Sequence, residues 1–309
     1  MGGMFGTPII KTTKPPVNLD RAAIELRIAN CPRLPSLGSI NFALRELLSA
    51  DNRYTGQIAD VIRRDPSLTA RLLRLVNSVY HRQTTPVNSI EEAVFYLGTR
   101  QIRQLAMITP VIDDFQKLTG RTQFVWRSFW QHCIATALLT REVINVAGVQ
   151  PEDADYVAGL IHDVGKIIMA ACFGDRFVEI HQRAALEQKS LRQIELEVLG
   201  IDHSELGALY LQHHSLPEVM IETARFHHTP ELARKHPKVV AAVQIANLIL
   251  HQIKVGASGN NDPVSEADWQ GATGWSILLP GADPDTLSSA FTRLKPEIER
   301  IPAQLEGLV

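Results

Sequence analysis

The chain predicts an all-α fold. Apolar residues recur every three or four positions in one short segment after another, and helix-starting and helix-ending residues punctuate those segments. No stretch of any length alternates apolar with polar as a half-buried strand would. A hydrophobic content of 45% over 309 residues is enough for a sizeable core and too high for a mostly disordered chain.

Residues 1–20 carry Gly, Pro, Thr and Lys without apolar periodicity and read as a flexible lead, followed by a first helix that ends by residue 29. Over 40–48, Ile40, Leu44, Leu47 and Leu48 share a helical face, and 54–64 repeats the pattern with Ile58, Val61 and Ile62. Asp65-Pro66 marks a break, and Pro66 suits the first turn of a helix over 67–79. Asn88-Ser89 ahead of Glu91-Glu92 reads as a helix start, a capping side chain followed by acids in the first turn. Gly98 ends that helix and Thr99 opens the next. A longer helix over 127–146 carries His132, and a single helix is expected over 152–171. The series continues over 177–189, 190–199, 204–213 and 217–226, then an apolar, central helix over 237–253. Residues 256–281 are rich in Gly, Asn, Asp, Pro and Ser and read as a long irregular segment whose Trp269 and Trp275 pack on the core. An amphipathic helix over 284–301 closes the chain.

The formal net charge of -2 provides no global field for a polyanion, which argues against nucleic acid as the partner. The stripe Arg63-Arg64, Arg71, Arg74 reads as a solvated helix face, and Trp126 and Trp130, one turn apart, read as core. No apolar run approaches the ~18 residues of a membrane span, and the first residues lack the basic flank and apolar stretch of a signal peptide. Cys31, Cys133 and Cys172 are odd in number and far apart in sequence, so they read as free thiols in a reducing compartment. The expected location is the cytoplasm, with no membrane partner.

The sharpest local feature is Gly159-Leu-Ile-His162-Asp163-Val-Gly165-Lys166. Burying a His–Asp pair within an apolar helix costs free energy unless each group has a partner. Lys166, one turn on from His162, can pair with Asp163 or with an anionic ligand. His132, His203, His213-His214 and His227-His228 add to a concentration of imidazoles over 132–228. Imidazole with carboxylate suits a divalent metal such as Fe, Mn, Zn or Ni, with Mg a harder alternative. Of the other histidines, His213 and His214 fit an exposed helix end, and His181, His236 and His251 are assigned to the surface.

His132 followed by His162-Asp163 and Gly165-Lys166 resembles the core of the HD superfamily of metal-dependent phosphohydrolases. Several upstream segments narrow the resemblance to the HDOD family, the HD-related output domain. They are Leu34-Pro35-Ser-Leu37, Ile58-Ala59, Asp65-Pro66-Ser67-Leu68-Thr69-Ala70-Arg71-Leu72 through Asn77-Ser78, and Ile90 through Leu97-Gly98, Arg100, Ile102 and Arg103. Downstream, Gly200, His203, Glu205, Gly207, Leu216-Pro217 and His227-His228-Thr-Pro230 fit as well. The resemblance spans 30–250 and implies an N-terminal helical bundle over 30–120 packed on an HD-like bundle over 121–250, with 251–309 as a C-terminal loop and helix.

The family resemblance implies a regulatory module of bacterial signal transduction without established catalysis. Two departures support that reading. The late acid of catalytic HD sites is replaced by Asn247 in Val243-Gln-Ile-Ala246-Asn247-Leu. The related HD-GYP phosphodiesterases resemble this chain at His203 and His227-His228, but Thr229-Pro230-Glu231-Leu232 stands where they carry Gly-Tyr-Pro. The resemblance therefore implies metal ligation by His132, His162 and Asp163, with Asn247, His203, His227 and His228 as further candidates. The leading expectation is a non-catalytic cytoplasmic regulator that binds a signalling protein or a nucleotide. The alternative is a metal-dependent phosphohydrolase acting on a nucleotide or cyclic dinucleotide, with Asp163 as ligand or base and Lys166 steadying a phosphate.

Overall fold

The fold is that of a computed structural model, which describes residues 20–31, 73, 87–93, 124–260 and 262–305. Every regular element among the described residues is helical, so the all-α expectation holds. The helices are α1 Arg21–Ala29, α2 Trp126–Val146, α3 Asp153–Ile161, α4 Val164–Cys172, α5 Gly174–Glu187, α6 Leu191–Leu199, α7 His203–His213 and α8 Glu218–Phe226. A 3-10 turn at Pro230–Leu232 follows, then α9 Pro237–Gln252, α10 Glu266–Gln270, α11 Thr273–Leu278 and α12 Pro284–Leu305. The helices expected over 40–48, 54–64 and 67–79, the turn at Gly98, and the Arg63–Arg74 stripe lie outside the described residues, except for Leu73.

Helix starts follow the capping chemistry of the sequence. Ser89 Oγ accepts from the Glu92 N–H at 3.1 Å while Glu92 Oε2 accepts from the Asn88 N–H at 3.0 Å, so the helix start expected there forms. Ser190 caps α6 through the Gln193 N–H, and Asp202 caps α7 through the Glu205 N–H. Gly200, at φ +73°, ends α6 in the left-handed region that glycine enters without strain.

Helix α9 is the central element, as its apolar sequence predicts. It packs against α2, α3, α8, α10 and α11, and Val240 through Leu250 supply fully buried side chains on almost every face. Helix α12 lies along α2, and Arg293 donates to the Val146 carbonyl at the α2 C-terminus. Residues 256–281 are more regular than expected, because α10 and α11 form within them. Their Trp269 and Trp275 are each 2% exposed and belong to the same apolar core as α2 and α9. The C-terminal segment therefore shares one core with the HD-like helices, each buried tryptophan contributing about 3 kcal/mol of burial. Trp130 is a core residue as expected, whereas Trp126 is half-buried and packs against the core, stacked on Phe177.

The principal correction concerns the helix expected over 152–171. It is two helices, α3 and α4, with His162 and Asp163 forming the turn between them. The physical reason lies across the interface. Gly165 sits so close to α7 that a Cβ there would lie 1.8 Å from the His203 carbonyl oxygen, and a Cβ on the facing Gly207 of α7 would lie 2.9 Å from the Gly165 nitrogen. The chain bends at 162–163 to bring the start of α4 against the start of α7.

Candidate metal centre

Six elements deliver the polar cluster. Helix α2 supplies His132, and the α3–α4 turn supplies His162 and Asp163. The first turn of α4 supplies Lys166, the first residue of α7 is His203, the turn after α8 supplies His227 and His228, and α9 supplies Asn247. All are buried except His228, which is half-buried. The candidates named from sequence therefore converge in one place.

Hydrogen bonds at the outer nitrogens fix the imidazoles. His162 Nδ1 lies 2.8 Å from the Gly159 carbonyl oxygen, and His227 Nδ1 lies 3.0 Å from that of Ala224. A carbonyl oxygen only accepts, so each Nδ1 carries a proton, and Nε2 is the nitrogen left to offer a lone pair to the site. His203 Nδ1 donates to Glu195 Oε2 at 2.7 Å, and the same oxygen accepts the His203 backbone N–H at 2.9 Å. Its Nε2 is turned inward as well.

These inward nitrogens surround the Asp163 carboxylate. His162 Nε2 is 3.4 Å from Asp163 Oδ2, while His203 Nε2 and His227 Nε2 are 3.3 Å and 3.7 Å from Oδ1. None of these approaches is a hydrogen bond. His162 Nε2, His227 Nε2 and Asp163 Oδ1 are all buried without a hydrogen-bond partner. Lys166 Nζ donates to Asp163 Oδ2 at 2.7 Å and is the nearest cation. Burial alone would raise the Asp163 carboxyl, but the Lys166 ammonium beside it outweighs burial and holds it well below the usual carboxylate range. Burial, reinforced by His162, pushes the His227 imidazole well below its ordinary value, and burial with His227 does the same to His228.

Acceptors facing one another in a dry interior are costly unless a cation lies between them. His132, His162 and Asp163 each offer a ligand atom within 4.8 Å of the others, and so do His203, His227 and His228. Asp163 lies against both groups. The donor set of imidazole nitrogens and one carboxylate suits a transition metal such as Fe, Mn, Zn or Ni better than Mg, which prefers oxygen. When bound, the ion would act as a Lewis acid on an oxygen ligand.

Asn247 bonds to another member of the cluster. Its Oδ1 accepts from His132 Nε2 at 2.9 Å, which gives that nitrogen the proton and ties α9 to α2. Burial, then His251 and His162, push the His132 imidazole well below its ordinary value. His251 corrects its surface assignment. It is half-buried directly behind His132, with ring centroids 4.9 Å apart. His181 is likewise packed, its ring 4.2 Å from that of Phe177, and His236 is half-buried. His213 is exposed at the end of α7, as expected, with His214 half-buried beside it.

Sequence reasoning missed Glu195. It is fully buried and holds His203 in place, and metal-binding imidazoles commonly have such a carboxylate behind them. The signal was present, since Glu195 shares the apolar stripe of α6 with Leu191, Val198 and Leu199.

A family model decides the identity of the domain: that of the HDOD domain matches residues 34–230. The chain belongs to the HDOD domain family. A crystal structure of an HDOD domain protein of unknown function from Geobacter sulfurreducens shares its fold with a TM-score of 0.76 at 26% identity, covering 93% of this chain and 99% of that one. A Marinobacter aquaeolei VT8 protein, provisionally named a signal transduction protein, has a TM-score of 0.64 at 21% identity, with 94% and 67% of the two chains covered. An uncharacterized protein of Treponema pallidum (strain Nichols) is 26% identical over 234 residues, 74% of this HDOD chain. The chain spans 44% of that relative's length. No helix among the described residues is long and apolar enough to cross a membrane.

Proposed function

We propose that this HDOD protein is a signal-transduction module that holds a divalent transition metal at Asp163 and acts by binding a protein partner rather than by catalysis. One observation supports the metal: three buried acceptor atoms, His162 Nε2, His227 Nε2 and Asp163 Oδ1, converge without hydrogen-bond partners. His162, Asp163, His203 and His227 would hold the ion, with Glu195 and the Gly159 and Ala224 carbonyls orienting the rings. Two features favour a regulatory role. Lys166 is spent on Asp163 and is 3% exposed, so it does not present its ammonium to a phosphate. Asn247 brings no charge, which leaves a single carboxylate in direct reach of the ion.

Elemental analysis tests this reading on untagged protein purified without chelator, beside the His162→Ala/Asp163→Ala variant. Near-stoichiometric metal in the parent and none in the folded variant is expected. Absence of metal from both would overturn it and leave the cluster as a polar element that specifies helix contacts.

The second reading is a phosphohydrolase acting on a nucleotide or cyclic dinucleotide. It is favoured by the meeting of two ligand groups at Asp163, as paired-metal hydrolysis would use. Turnover of a nucleotide panel by the metal-loaded parent, lost in Asp163→Ala, would establish it over the first.

A further inference from the structure

The three cysteines are free thiols, and two of them, Cys31 and Cys172, lie where α1 docks on α4. Cys31 follows α1 and Cys172 ends α4. Arg27 on the last turn of α1 donates to the Cys172 carbonyl at 3.2 Å, and its guanidinium sits 4.8 Å above the Phe173 ring. Ile28 and Cys31 enter the same apolar core that Ala171 and Cys172 pack against. This docking brings the two side chains together, close enough for each thiol to act on the other. Cys31 is 7% exposed, whereas Cys172 is only half-buried and gives small solutes an approach.

We propose that Cys31 and Cys172 are a redox-responsive pair that a hydroperoxide converts into a reversible disulfide, clamping α1 onto α4. The Cys31 thiolate attacks one peroxide oxygen, the O–O bond breaks, and hydroxide leaves to give Cys31 sulfenic acid. The Cys172 thiol then attacks that sulfur, the S–S bond forms, and water leaves. In sum, two thiols and one hydrogen peroxide give one disulfide and two waters, the thiols losing two electrons and the peroxide gaining them. The neighbouring Cys172 lowers the Cys31 thiol against the effect of burial, and Cys31 raises the Cys172 thiol in concert with burial. In a reducing compartment such a bond would be transient, as redox signals require. The clamp acts on α4, whose first turn carries Lys166 and follows Asp163, so oxidation has a direct mechanical route to the cluster. The proposal does not depend on the metal.

The full chain, treated with a few equivalents of hydrogen peroxide, is blocked with N-ethylmaleimide in denaturant, digested and read by mass spectrometry. The expected result is a Cys31–Cys172 cross-linked peptide that dithiothreitol removes, with Cys133 alkylated. Cys133 serves as an internal control because it is 1% exposed and burial pushes its thiol well up. Cys172→Ser should abolish the cross-link and leave a Cys31 sulfenic acid trapped by dimedone, and Cys31→Ser should slow peroxide consumption at least tenfold. Full alkylation of both cysteines after peroxide, in protein with unchanged circular dichroism, would overturn the proposal. So would a disulfide formed between chains or through Cys133.

Discussion

Gly165→Ala isolates the contact that bends the chain at the site. A methyl group at Gly165 would lie 1.8 Å from the His203 carbonyl oxygen, 2.7 Å from its carbon and 2.8 Å from the Gly207 nitrogen. All three are backbone atoms, so no side-chain rotation relieves them. Restoring van der Waals separation requires α4 and α7 to part by about 1.5 Å, and overpacking of this kind sits at the upper end of its range, about 3 kcal/mol or more. The thermal midpoint should fall by about 6–12 °C. The same displacement opens the 3.3 Å approach of His203 to Asp163, so metal retention should drop as well. Gly174→Ala is the matched control, because a Cβ at the start of α5 meets nothing within 4 Å. That variant should unfold within about 1 kcal/mol of the parent. Urea titration and calorimetry of the three proteins, each with metal analysis, give the answer. Equal stability of Gly165→Ala and the parent would refute the close α4–α7 crossing and, with it, the reason given for the turn at His162-Asp163.

Glu195→Ala leaves the His203 Nδ1 and backbone N–H unpaired in the core; it should cost about 2–3 kcal/mol and weaken metal binding about 10–100-fold by chelator competition. Asn247→Asp adds a carboxylate beside His132 and should raise metal affinity about tenfold in the same assay; no change would remove α9 from the site. Stability of the metal-free protein should fall as pH drops below about 6.5, the ordinary imidazole value. The pKa of His132, His227 and His228 is lowered well below that value in the fold, chiefly by burial, and that of His181 and His251 to about 4. A folded pKa below the unfolded one means that the unfolded chain binds more protons through that window, so each such imidazole removes up to about 1.4 kcal/mol per pH unit. A urea midpoint flat from pH 7 to 5 would contradict it.

Helix content and most helix ends were legible in the sequence because they depend on local chemistry. Ser190, Asp202 and Gly200 act on residues within one turn of themselves, and each does what its residue type predicts. The cluster was legible as a list, since His132, His162, Asp163, His203, His227 and His228 all arrive in one place. Its wiring was not. Whether Asn247 meets an ion or His132 depends on how α9 lies against α2, and no spacing along the chain encodes that. Glu195 was passed over because a carboxylate on an apolar stripe gains meaning only from what lies across the interface. The proximity of Cys31 and Cys172 is of the same kind, set by the docking of α1 on α4.

The turn between α3 and α4 is where local preference and global structure part company. The apolar run over 152–171, taken alone, predicts one uninterrupted helix. Instead the chain gives up helical hydrogen bonds at His162-Asp163, and Asp163 stands at the N-cap of α4 without capping it. An aspartate at that position ordinarily stabilises a helix by about 1 kcal/mol through its side chain. Here the carboxylate turns away to Lys166 and to three imidazoles, two of which present unpartnered nitrogens. The sequence forgoes a cap, breaks an apolar helix and commits two facing glycines to one crossing. What it gains is a carboxylate at a fixed point among inward-facing lone pairs, an arrangement that a cation would complete and that apolar side chains could not reproduce.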